Sequence, residues 1–128
     1  MQKQVFRSGP YAELIAQAVQ VGDIIYLSGQ VGVDERGSAP DDIVAQTVLA
    51  YQNVKAVLAE FGATLDNVVE ETVFVTDMAE TMSQVQEIFA ARASAYGQRP
   101  EVAQTLVGVS ALVDLSLIHI SEPTRPLH

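Results

Sequence analysis

Apolar residues change their spacing several times along this chain, and each change marks an element. Residues 1–11 read as an extended segment that ends at the turn Ser8-Gly9-Pro10. Val19–Val21 and Ile24–Ser28 flank Gly22-Asp23, a two-residue signal for a tight hairpin. Gly29 interrupts the second run, and Gln30–Val33 continues extended. The period then changes to three and four. Val44, Val48, Tyr51, Val54, Leu58 and Phe61 predict a helix, with Asp41 and Asp42 at its positive end and Gly62 as its stop. Leu65, Val68 and Val69 suggest a short turn or helical segment before the strand. The partial alternation of Glu71–Thr76 predicts a strand closed by Asp77. Met82, Val85, Phe89, Ala93 and Tyr96 predict a second helix over Glu80–Tyr96, ended by Gly97. Thr105–Val109 and Leu115–Ile120 read as strands. The order implies an α+β fold, two helices on one face of a mixed sheet. The bare face then needs a cover, and further copies of the chain are the expected one.

Three readings follow from position alone. Met78 and Met82 belong in the core. Glu70-Glu71 is a solvated acidic pair. The segment from Ser116 to Pro126 resembles a translated cloning adaptor, so residues 1–114 read as the domain and 115–128 as a non-native tail. That tail still alternates, so it can stand in for a last strand until Pro123 and Pro126 stop it.

Composition narrows the chemistry. The chain has 128 residues, which suits one domain. Its net charge of −9 repels phosphate backbones, and no Lys or Arg run offsets it, so nucleic acid is an unfavoured partner. Only 18% of residues are charged, which favours burial of surface against other copies. With no cysteine there is no thiol nucleophile and no thiolate metal site. Two histidines and no HExxH motif argue against a metal, and no glycine-rich phosphate loop opens a helix. No apolar run approaches the ~18 residues of a membrane span, and no secretory pattern opens the chain, so a cytoplasmic protein is expected.

Several short motifs keep a recognisable order. They are Gly9-Pro10-Tyr11, Val21-Gly22-Asp23, Ile25 to Gln30, Gln46 with Asn53-Val54-Lys55, Thr72 to Met78, and Thr105 to Val109 with Ala111-Leu112. Together, over residues 5–114, they resemble the Rid family of reactive intermediate deaminases (YjgF/UK114-like). The resemblance implies a chorismate-mutase-like domain, a homotrimer, and clefts between subunits that bind a small metabolite. It implies no cofactor. It also implies hydrolysis of enamine or imine intermediates, such as 2-imino acids, to 2-keto acids and ammonia.

Carried over position by position, the resemblance makes Tyr11 a cleft wall. It makes Ser28 and Gly29 a strand where backbone meets ligand, and Thr105 a backbone contact. The family's carboxylate-binding arginine falls on Gln104. Its helix-borne asparagine falls on Gln86, with a small shift, and its water-binding glutamate on His119. No catalytic residue is assigned. A charged hydrogen bond is worth roughly 1.5–3 kcal/mol against about 0.5–1.5 for a neutral one. Gln104 therefore points to a neutral or amide-bearing ligand. The alternative is a non-catalytic, metabolite-binding or regulatory trimer. A third reading is a nuclease or chaperone-like role, of which RNA cleavage is opposed by the net charge and the lack of a basic patch.

Overall fold

The computed structural model describes residues 2–113 and 118–124. The expected strand positions Leu115–Leu117, together with Pro126 and His128, lie outside them. The elements are β1 (Lys3–Phe6), β2 (Ala18–Val21), β3 (Ile24–Val31), α1 (Ile43–Ala59), β4 (Glu70–Val75), α2 (Met78–Ser83), α3 (Val85–Tyr96), β5 (Ala103–Gly108) and β6 (Ile118–Thr124). A 3₁₀ turn at Leu65–Asn67, capped by Thr64, precedes β4.

The six strands form one sheet in the order β1-β2-β3-β6-β4-β5. Only β4 and β5 run parallel, because the chain crosses over through α2 and α3 between them. The hairpin forms where Gly22-Asp23 places it. Val21 pairs with Ile24, and Gly22 takes φ 57° at the first central position, as a type II′ turn requires. In β3, Leu27 pairs with Glu122 and Gln30 with Ile120. Three steps on β3 thus meet two on β6, a bulge at Ser28-Gly29. The bulge shifts the phase of the strand, so Ile25, Leu27 and then Gln30 are buried.

The helices cover one face. Asp42 caps α1 by accepting from the Ala45 N–H. Ala50, Tyr51, Val54 and Leu58 turn inward onto Ile25, Leu27, Val73, Val75 and Ile120. A Cβ on Gly32 would sit 2.4 Å from the Gln46 carbonyl oxygen, so only glycine lets the end of β3 pass this close to α1. Asn53 fixes the approach by donating to the carbonyls of Val31 and Val33 at 2.9 and 3.1 Å. On the other face Val5 and Tyr26 are each about half exposed.

Several expectations fail for physical reasons. The second helix is two: Gln84 leaves helical geometry (φ −120°, ψ 22°), ending α2 and starting α3. That break splits the expected stripe between two helices. Ile88 and Tyr96 are buried, whereas Met78, Met82 and Phe89 are exposed, so the methionines are not core. Val48, expected on the buried stripe of α1, is likewise exposed. Pro123 does not stop the last strand. It pairs with Tyr26 of β3, and the recorded β4–β6 pairing reaches no further than Thr72–Ser121, so the missing N–H breaks no ladder on that side. Glu71 is not solvated. It is fully buried.

Candidate functional site

β4 alternates, and Glu71 shares the inward phase of Val73 and Val75. The strand therefore delivers a carboxylate beneath the helices, where an unpaired charge would be prohibitively costly. Four side chains compensate it. Tyr51 of α1 donates its hydroxyl between the two carboxylate oxygens, at 3.0 and 3.1 Å. Tyr96 of α3 donates to Oε2 at 3.2 Å. Gln104 of β5 donates through Nε2 to Oε1 at 3.0 Å. Arg92 of α3 donates through Nε to the same oxygen and forms the ion pair. Its Nη2 reaches the Val102 carbonyl at 3.3 Å. The guanidinium also lies 5.8 and 5.5 Å from the ring centres of Phe89 and Tyr96. Tyr51 and Tyr96 meet edge to face at 5.7 Å.

This environment shifts proton affinities. Burial pushes the Tyr51 phenol well above its usual value, and the neighbouring Glu71 carboxylate adds to the effect. For Arg92, burial acts to lower the value. The hydrogen bond and charge of Glu71 outweigh it, and the guanidinium stays above its ordinary range.

A cavity of about 20 Å³ opens beside the cluster, bordered by Tyr51, Thr81, Phe89, Arg92, Gln104 and Leu106. It holds about one water. Among the described residues no group of three His, Asp or Glu side chains is placed to hold a metal ion. No helix there is long and apolar enough to cross a membrane.

The positions picked out by sequence separate into two groups. Tyr11 stands half-exposed in the turn after β1, where its carbonyl accepts from Leu14 and Ile15. Ser28 and Gly29 form the β3 bulge, and Ser28 Oγ donates to the Ala16 carbonyl at 2.6 Å. Gln17 links turn and bulge. It donates to Ser8 at 3.2 Å and accepts from Gln30 at 2.8 Å. Gln104 belongs elsewhere, in the Glu71 cluster at the opposite end of the sheet. Thr105 is exposed on the same edge strand, and Gln86 is exposed on the first turn of α3. Gln86 does not border the cavity, whereas Phe89 does. The backbone of His119 pairs with Val31 and Phe74.

Sequence reasoning missed Glu71, Arg92, Tyr51 and Tyr96 as a unit. Two signals were available: the inward phase of Glu71 with Val73 and Val75, and the i, i+4 spacing of Arg92 and Tyr96.

Comparison with known proteins places this chain in a family. The profile described as Endoribonuclease L-PSP matches residues 5–121. The RutC family protein YjgH of Escherichia coli K12 is 35% identical over 107 residues, 83% of this chain and 79% of that protein. A protein of the same organism provisionally named a reactive intermediate deaminase, TdcF, is 33% identical over 84 residues, 63% of this chain and 62% of its own. Rv2704 of Mycobacterium tuberculosis, described as a member of the YjgF/YER057c/UK114 family, superposes with a TM-score of 0.79 at 27% identity. That superposition covers 97% of this chain and 99% of the other. The chain belongs to the Rid/YjgF family.

Proposed function

We propose that this protein hydrolyses reactive enamine and imine intermediates in a cleft assembled between copies of the chain, as a homotrimer. One observation carries the reading. Tyr11, Ser28 and Gly29 stand at the β3 side of the sheet, and Gln104 at its β5 edge, with β6 and β4 between. Three strand spacings separate them by roughly 14 Å. Ser28 also lies in the phase opposite the buried Ile25 and Leu27, while Gln104 faces the helices. One chain therefore cannot close both groups around one small molecule. A neighbour presenting its Tyr11–Gly29 end to this chain's β5 edge can.

In that cleft Tyr11 walls the ligand, backbone at Gly29 and Thr105 orients it, and Gln104 with Arg92 forms the floor. Gln86 stands at the helical rim. Water adds to the imine carbon, giving a carbinolamine. A proton moves from oxygen to nitrogen, the C–N bond breaks, and a carbonyl product and ammonia leave. For a 2-imino acid the product is a 2-keto acid. The name given to TdcF supports this reaction class.

The second reading is a binding module without turnover. It is favoured by the engagement of Gln104 with Glu71 rather than with open space. Ammonia release from freshly generated dehydroalanine and from its amide separates the two. Acceleration of either, reduced about tenfold or more by Tyr11→Ala, is expected of the hydrolase. No acceleration of either leaves the binding module.

A further inference from the structure

Glu71, fully buried, lies behind Tyr51, Arg92 and Gln104 of the cavity wall, with a guanidinium, a carboxamide and two phenols converging on its two oxygens. That donor set is what a binding site offers to the carboxylate of a ligand. Here the carboxylate is part of the chain. It carries no translational cost of association, so a free carboxylate competes with it poorly. The positive charge of Arg92 is met before any ligand arrives.

The remaining polar groups sort the other way. Thr47 and Thr81 spend their hydroxyl protons on the carbonyls of Ile43 and Asp77, at 2.8 and 2.7 Å, and their oxygens can only accept. Gln104 commits one Nε2–H to Glu71 and keeps Oε1 as an acceptor and its second N–H as a donor, the pair that a carboxamide matches. An anion entering here meets the oxygens of Thr47 and Thr81, a guanidinium whose charge Glu71 already balances, and that nearby carboxylate. An uncharged molecule with N–H groups meets partners.

We propose that Glu71 is the specificity-determining residue of this cleft. By occupying the anion position around Arg92 and Gln104, it disfavours carboxylate-bearing ligands and favours small uncharged ones that carry N–H groups, such as neutral enamines, imines or carboxamides. The proposal rests on the reading of this cavity as part of the ligand cleft, and its test is independent of turnover.

Pyruvate and its uncharged isostere pyruvamide are titrated by calorimetry into the parent protein and into Glu71→Gln, which keeps the volume and removes the charge. The parent favours pyruvamide by about tenfold, and the variant, with its guanidinium unpaired, reverses the preference. If Glu71→Gln does not fold, Glu71→Ala is refolded in formate, which fits the vacated carboxylate position. Formate then restores the unfolding midpoint and formamide does not. A parent that prefers pyruvate overturns the proposal. So does a preference unchanged by the substitution, including binding of neither probe, and so does an Ala variant that formate fails to rescue. Hydrolysis is read separately. A switched preference without ammonia release from either substrate removes the hydrolase and leaves the role of Glu71 standing.

Discussion

At the residue scale the buried ion pair dominates. Taking away one partner strands the other charge in a dry setting, which costs about 3–5 kcal/mol. Arg92→Leu is therefore expected to lower stability by that amount in urea unfolding at neutral pH. The double variant Glu71→Leu/Arg92→Leu, which removes both charges, is expected to recover most of it. Tyr51→Phe deletes a hydrogen bond to a charged oxygen and is expected to cost roughly 1.5–3 kcal/mol. The same phenol makes stability depend on alkaline pH. Its folded pKa is raised, so above about pH 10 the unfolded chain releases a proton that the native state keeps. The stabilisation is complete below that pH and declines as pH rises, by up to about 1.4 kcal/mol per unit. The unfolding free energy should fall more steeply between pH 8 and pH 11 in the parent than in Tyr51→Phe. Equal slopes would show that the phenol does not hold its proton. A glutamate beside another glutamate reads as surface in a linear sequence. Its burial became visible only when partners twenty or more positions away, Tyr51, Arg92, Tyr96 and Gln104, met it.

At the element scale, local chemistry set the boundaries well. Gly22-Asp23 made the hairpin, Asp42 and Asp77 accepted at helix starts, and Gly97 ended α3 in the left-handed conformation at φ 77°. Which face of each helix turned inward was less legible. A valine or methionine at helical spacing marks an amphipathic stripe only if the helix is continuous, and the break at Gln84 divides α2 from α3. On α1 the buried stripe includes Gln46 and Thr47, because Gln46 donates to Pro40 and Thr47 to Ile43. Gly32 shows how tight the α1–β3 contact is. Gly32→Ala must push Gln46 backbone aside, and a loss of about 1–3 kcal/mol is expected from thermal or urea unfolding. An unchanged midpoint would mean that strand and helix separate freely there.

At the scale of the whole molecule, the sheet has one covered face. Tyr26 and Val5 stand half-exposed on the other. The proposed homotrimer buries that face and brings the two halves of the cleft together. Sedimentation of the parent as three copies is expected, and Tyr26→Asp, which places a charge on the bare face, should sediment as one. A monomeric parent would remove the intersubunit cleft. The charge of −9 keeps phosphate backbones away, so RNA affinity at physiological salt is expected to be absent.

The sequence by itself determined most of the elements and their order, the α+β class and the family, but not the break at Gln84. Those rest on turn chemistry, caps and periodicity, which are local. It also placed Tyr11, Ser28, Gly29 and Gln104 as positions of interest, through the order of short motifs. Only the tertiary structure decided that the first three lie far from the fourth, since strand order in a sheet is a non-local choice. Only the tertiary structure decided that Gln104 serves an internal carboxylate. Burying Glu71 is unfavourable on its own, and becomes tolerable once four side chains from three elements converge on it.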